Sequence, residues 1–486
     1  MARIVPVAAA LCALMVFLRA CQTEAQPFNV TLVAQLLNAT FPSPANATLA
    51  KPNTTCVGYT DRASLLAKLD SARSGEVIVI CSDIMIDLDY DDYLLYVNSS
   101  VTIIGGNTTT GRPYVIHGSY TSPLFRVAGS VGPVVFQNLE LSSAYGPYFG
   151  GAVDVGKNAV VSFINVAFTN NYAEYGGAVY TEGNTTFLGC VFVNNTAKEW
   201  GGAVHLENYV GGIALSVKDS IFYASVSGKV GGALSILSGT YDPNYATITD
   251  SVFVESKATE KGGAIYAYAG QNGTPGINAT ITYNDFINGT TTNGTLPALG
   301  GGAVYMGGDG TTGFFAGNSF KNNKAPRGGA IYVYGSLNTS FCGGDSFTAN
   351  VAQTGLGDNV YMYGTYGLSA TSFCPAIPLG VVNAPNQQTP YVYNGYSNAS
   401  CVDCDPKMIC DKNATGILTP VGVDCTCNGG FYGSGYACYP LGYNKTSSFS
   451  LATTLIAKAT NTTANLTRLA NFTTVSNPTS VNATAR

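Results

Sequence analysis

The sequence predicts an all-β chain whose bulk is a right-handed parallel β-helix, and three observations carry that prediction. The tetrapeptide Gly-Gly-Ala-(Val/Ile/Leu) begins at Gly150, Gly176, Gly201, Gly231, Gly262, Gly301 and Gly328, with a degenerate copy at Gly357-Asp358-Asn359-Val360. A phenylalanine lies eight or nine residues before most copies: Phe168, Phe192, Phe222, Phe253 and Phe320. The intervening stretches, such as Ala330-Ile331-Tyr332-Val333-Tyr334, alternate without a helical period and are broken by Gly and Asn, which reads as strands and turns.

Successive copies are 26, 25, 30, 31, 39 and 27 residues apart, the longest step carrying a Gly/Thr-rich insertion around Asn288 to Pro297. One such unit cannot bury its own apolar side. Stacked units can, each bonded to the next about 4.8 Å away, so roughly ten coils would make a rod of about 45–50 Å. The paired glycines allow a turn with positive φ where a Cβ would clash. An Asn three residues after the Phe, as at Asn171, Asn195, Asn323 and Asn350, is placed to satisfy backbone groups at a bend and to form an internal ladder.

Both motifs, recurring in order over about residues 140–365, resemble the repeat of the chlamydial polymorphic outer-membrane protein family. The resemblance implies a β-helical passenger at a cell surface acting as an adhesin. The sequence departs from the family in showing no C-terminal barrel-forming region, so the resemblance bears on fold and location more than on role.

The rest of the chain is arranged around this array. Arg3, the apolar run Ile4 to Leu18 and Thr23-Glu24-Ala25 read as an export signal over residues 1–25, with a membrane anchor and a loose lipoprotein box at Cys21 as weaker readings. A glycosylated segment spans 26–55, and the β-helix 56–385. Its first turn is read as a capping helix over Asp61 to Ser74, with Thr60 as N-cap, Ala63, Leu66, Ala67 and Leu69 on one face, and Gly75 as the stop. Glu76 to Cys81 reads as a buried strand, and Val101 to Gly105 and Val134 to Phe136 as early irregular coils.

The cysteines fit an oxidising destination, secreted, extracellular or at the cell surface. Eleven of 13 lie beyond the leader, ten of them in local sets that can pair. Cys56 and Cys81 would tie the cap; Cys342 and Cys374 bracket the last coil. Cys401, Cys404, Cys410, Cys425, Cys427 and Cys438 fall in a module over 398–440, and residues 425–438 resemble the second half of an EGF-like domain. That family pattern implies pairs 401–410, 404–425 and 427–438. A zinc site is the rival reading, but no histidine supports it, and no metal or cofactor is expected. Residues 441–486 are Thr/Asn-rich and read as an extended tail. Twenty Asn-x-Ser/Thr sequons, among them Asn184, Asn194, Asn338 and Asn465, agree with a glycoprotein.

Only 10 % of residues are charged and the net charge is −5, which excludes nucleic acid as a partner because little here could neutralise phosphates. No later run is long and apolar enough to span a membrane. The oligomeric state is not legible. Enzymes of the pectin-lyase-like fold would need paired carboxyl groups or an acidic calcium cluster. Glu182 and Glu207, outward on successive coils, are the catalytic candidates, though they read more simply as solvated surface carboxylates. His117 and His205 stand alone, and the acidic run Asp87 to Asp92 reads as a solvated loop.

A non-catalytic pattern is stronger. The residue after each Val/Ile/Leu faces outward, giving Asp154, Tyr180, His205, Ser235, Tyr266, Tyr305, Tyr332 and Tyr361 along the rod; Tyr268, Tyr334 and Tyr363 lie two positions on. Stacked tyrosines of this kind form a flat platform for sugar rings or a protein. The expectation is a non-catalytic adhesive or wall-structural glycoprotein with a glycan or protein partner, with a carbohydrate-active enzyme as the alternative.

Overall fold

The computed structural model describes residues 56–441 except 87–94, 107–111, 209–211, 240–242, 271–275, 293–298, 309, 336–337, 364–369, 375–379, 384–390, 395, 398–399, 402–403 and 420–421. The expected signal, the expected glycosylated segment, the tail beyond Leu441, Asn465 and the acidic run at Asp87 to Asp92 lie outside the described residues.

The chain winds into a right-handed parallel β-helix. Each full turn of the central region adds a strand to four parallel sheets, which hold 12, 10, 7 and 11 strands. One turn runs Val160–Ile164 in the first sheet, Ala167–Thr169 in the second, Tyr172–Tyr175 in the third and Val179–Thr181 in the fourth, before Asn184–Leu188 returns to the first. The twelve first-sheet strands span about 53 Å at the usual strand spacing.

Strand alternation fixes what faces inward. Inward positions stay apolar from turn to turn, and at several of them the same residue recurs, so like side chains stack in register. Phe168, Phe192, Phe222, Phe253, Phe286, Phe320 and Phe347 form one column, with ring centroids 4.7, 4.4, 4.7, 4.9, 4.9 and 5.0 Å apart. A second column runs Phe136, Phe163 and Phe187. The spacing is that of the backbone ladder itself, so each ring packs on the next without strain.

The corners are where the sequence speaks most plainly. Asn171 accepts from Ala144 N–H and donates to the Leu141 carbonyl; Asn195 accepts from Asn171 N–H and Nδ2 at 3.1 and 3.0 Å and donates to the Phe168 carbonyl at 2.9 Å. Asn323 and Asn350 repeat the pattern. Ser225, Ser256 and Gly289 hold the places between, so the ladder has two parts. A second ladder, at the corner before the Phe, was not foreseen: Ser220, Ser251, Asn284, Asn318 and Asp345 each accept from the backbone N–H of the preceding rung. Its signal is a small polar residue two positions before the Phe. The paired glycines do their predicted work: Gly176 has φ +62, and a Cβ on Gly177 would sit 2.2 Å from the Gly202 carbonyl oxygen.

At the N-terminal end the helix α1 spans Arg62–Asp70 and packs Leu65 and Leu69 into the core. Three details differ from the sequence reading, the first being that Ala63 and Ala67 of the expected face are exposed while Leu65 is buried. Asp61 caps the helix, its carboxylate accepting from Ser64 N–H at 2.9 Å, and the helix stops at Ser71, before Gly75. Asp is as good a cap as Thr, and Asp61 holds the extended backbone a cap requires. Cys56 and Cys81 are bonded as expected.

The cysteine-rich region departs further. Cys427–Cys438 forms as the EGF-like pattern implies, but Cys404 bonds Cys342 and Cys410 bonds Cys425, in place of 404–425 and 401–410. Cys342 and Cys374 lie side by side in register on neighbouring first-sheet strands without bracketing a coil as a pair. The physical reason is docking. The short helix α2 (Pro406–Ile409) and the hairpins Ala414–Thr419/Gly422–Cys427 and Phe431–Gly433/Cys438–Pro440 pack against the solenoid. Ile409, Val423 and Cys425 share an apolar cluster with Ala316 and Cys342. Lys218 pairs with Asp411 at 2.6 Å and donates to the Cys438 carbonyl, and Tyr436 stacks on Tyr283. Cysteine spacing encodes local loops, whereas this partner is supplied by the finished coil. Cys190 is free and buried, and burial pushes its thiol up to about 12.

Candidate functional site

The outward face of the fourth sheet gathers most of the chemistry-bearing side chains. Register pairs Arg126, Asp154, Tyr180, His205, Ser235, Tyr266, Tyr305, Tyr332 and Tyr361 on successive strands, so the column read from the glycine spacing is a physical one. Tyr268, Gly307, Tyr334 and Tyr363 form a parallel column two residues on.

The inner column is not an open platform. Tyr266, Tyr305, Tyr332 and Tyr361 are buried, in one cluster with Val230. The Gly-Gly bend is the cause. It folds the residue before each glycine pair against the outward face of the next strand. Parallel bridges link Tyr175, Trp200, Val230, Lys261 and Gly300 into a wall along the strip. Alternation predicts the direction of a side chain but not this concave corner. The outer row, Tyr268, Tyr334 and Tyr363, stays half-buried, with Tyr334 and Tyr363 stacked at 5.7 Å and 7°. Lys261 Nζ lies 5.8, 5.9 and 5.3 Å from the rings of Tyr266, Tyr268 and Tyr305, and burial lowers its pKa. Burial likewise raises the phenols of Tyr266, Tyr305 and Tyr332, which therefore stay protonated.

The other end of the strip is acidic. Tyr180 Oη donates to Glu207 at 3.2 Å, and Arg126 pairs with the buried Asp154 at 3.5 Å. His205 is fully buried among Tyr175, Tyr180 and Trp200, with ring centroids 6.0, 5.6 and 5.5 Å away. Glu182 and Glu207 are half-buried neighbours; burial and then the Glu207 charge raise the Glu182 pKa. His117 sits elsewhere, its Nδ1 accepting from Ser119 N–H at 3.0 Å. Among the described residues no three His, Cys, Asp or Glu converge as a metal site.

Of the glycosylation candidates, Asn184 and Asn338 are exposed at the start of first-sheet strands. Asn194 is half-buried in a left-handed bend, φ 54, its Nδ2 donating to Asn170 Oδ1 at 3.4 Å.

Three segments, 165–182, 189–207 and 319–334, match the Chlamydia polymorphic membrane protein repeat. No curated protein matches the chain. Among the described residues no helix is long and apolar enough to cross a membrane. Each matched segment contains one Phe-to-Gly-Gly passage through the second, third and fourth sheets, and all three sit in one continuous register. Three turns of the solenoid are thus similar to the Chlamydia polymorphic membrane protein repeat.

Proposed function

We propose that the protein is a surface-exposed, adhesin-type glycoprotein that binds an extracellular glycan without catalysis, through the outer row of the fourth-sheet strip. The repeat match supports the surface role. The observation that carries the binding role is the half-buried row Tyr268, Tyr334 and Tyr363, floored by a fully buried tyrosine row and flanked by Lys261. A rigid aromatic edge over a packed floor loses little side-chain freedom on binding, and the rings offer flat apolar faces with polar rims.

A glycan array with the full chain tests this. Tyr334→Ala and Tyr363→Ala are expected to lower retention at least tenfold with an unchanged circular dichroism spectrum. Tyr332→Ala, on the floor, is expected to lower the melting temperature as well. No retained glycan, or retention indifferent to Tyr334 and Tyr363, overturns the reading. The alternative, a carbohydrate-active enzyme of the same fold, is favoured by the adjacency of Glu182 and Glu207 and the raised Glu182 pKa. It predicts new reducing ends or unsaturated products from wall polymers, lost in Glu182→Gln.

A further inference from the structure

At the acidic end of the strip two half-buried carboxylates lie side by side. Thr181 and Leu206 pair in register, so Glu182 and Glu207, the next residues, leave neighbouring strands about 4.8 Å apart at the backbone. The Glu182 carboxylate makes no hydrogen bond or ion pair among the described residues, although its backbone bonds Val155 and Asn158. Lys157 and Arg126 act on it only at a distance, and Arg126 is engaged by Asp154. Behind the pair lies His205, fully buried, with neither ring nitrogen hydrogen-bonded and Nε2 3.6 Å from Glu207 Oε2, beyond hydrogen-bond reach. Two like carboxylates beside a buried ring with unused hydrogen-bonding capacity form a place where a small cation with several donors gains most.

The surroundings select the cation. Tyr175, Tyr180 and Trp200 wall the same corner, and aromatic faces accept an ammonium and its neighbouring C–H groups. The tyrosine row begins at Tyr268, two strands beyond Glu207 on the same face, so about 10 Å of strip separates the two ends. A short oligosaccharide covers that span.

We propose that Glu182 and Glu207 form a subsite for the primary ammonium of an amino sugar, carried by the glycan whose rings lie on Tyr268 and Tyr334. This rests on the glycan-binding reading above and names its ligand class. The carboxylates accept from the ammonium, Tyr180 holds Glu207 in place, and N-acetylation removes both the charge and two of the three donors. Specificity at this end is therefore for the free amine.

The test measures binding of the full chain to glucosamine oligomers, to their N-acetylated counterparts and to oligolysine by calorimetry at pH 7. Glucosamine oligomers are expected to bind at least tenfold tighter than the acetylated ones. Glu182→Gln and Glu207→Gln should abolish that preference, while Tyr334→Ala weakens both glycans equally. Acidification should erase the preference in the wild type, because Glu182 gains a proton. Equal binding of the two glycans overturns the ammonium subsite and leaves the tyrosine reading standing. Tight oligolysine binding without amino-sugar binding overturns the glycan assignment. Absence of any glycan binding sinks both, and cleavage of the oligomers that Glu182→Gln abolishes replaces the subsite with a catalytic pair.

Discussion

Tyr439 Oη donates to the Asp250 carboxylate at 2.6 Å across a separation of 189 residues, and both side chains are buried. The bond lies between the cysteine-rich module and a corner of the solenoid, beside Lys218, whose Nζ sits 4.4 Å over the Tyr439 ring. The module is therefore a clasp along the coils. Tyr439→Phe keeps the ring and deletes the donor, so it should cost about 1–3 kcal/mol in denaturant unfolding. It should also speed proteolytic nicking of residues 404–440. An unchanged unfolding midpoint would show that the clasp is held by Cys342–Cys404, the Lys218 bonds and apolar contact without this hydroxyl.

Asp345 makes stability depend on pH. It ends the second polar ladder, its Oδ1 accepting from Asn318 N–H and Nδ2 at 2.9 Å each. Its Oδ2 is shut from solvent and without a partner, although the residue as a whole is only half-buried. Burial pushes this carboxyl up to about 7. The folded chain thus keeps a proton that the unfolded chain releases near 3.8. Stability is expected to fall as pH rises through that window and to level off above 7, by a few kcal/mol at most. Asp345→Asn retains the acceptor and should flatten this part of the profile in pH-dependent thermal melts.

The first asparagine ladder predicts a contrast. Asn195→Ala strands Asn171 N–H and the Phe168 carbonyl in the interior, each costing about 1–3 kcal/mol, and leaves Asn171 Nδ2 only its bond to Leu141. Ser225 occupies the equivalent corner on the next turn, and its buried hydroxyl has no hydrogen-bond partner. Ser225→Ala should be neutral or slightly stabilising. Chemical denaturation of the two variants decides whether these corners are held by the amide or by the backbone alone.

Glycines divide in the same way. Gly177→Ala places a Cβ 2.2 and 2.4 Å from the Gly202 and Thr196 carbonyl oxygens, and that backbone would have to move. It should abolish folding at ordinary temperature. Gly429→Ala meets nothing within 4 Å and should leave yield and melting temperature unchanged.

What the sequence made legible was whatever repeats at fixed spacing. The glycine pairs, the Phe column and the Asn ladder fixed the turn length, the strand register and the column from Asp154 to Tyr361. Less legible was whatever one turn does to another part of the chain. Tyr305 and Tyr332 point outward as alternation requires, yet the Gly-Gly bend carries Lys261 and its neighbours over them, an angle no periodicity reports. Cys404 finds Cys342 because the module docks on the solenoid, and residues 62 positions apart in sequence carry no mark of that meeting. The Ser220-to-Asp345 ladder was written in the sequence, but its residue type changes from turn to turn, so no single letter recurs.

The in-register stacking also makes height and chemistry separable. Val160 and Asn184 occupy equivalent places, so excising residues 160–183 would seat Val134–Gln137 beneath Asn184–Leu188 with matching partners throughout. A gene encoding such a protein can gain or lose a storey by unequal crossing-over without disturbing the floors above or below. The length of the rod, and the distance from any turn kept to the tyrosine row, are then set by copy number rather than by point substitution.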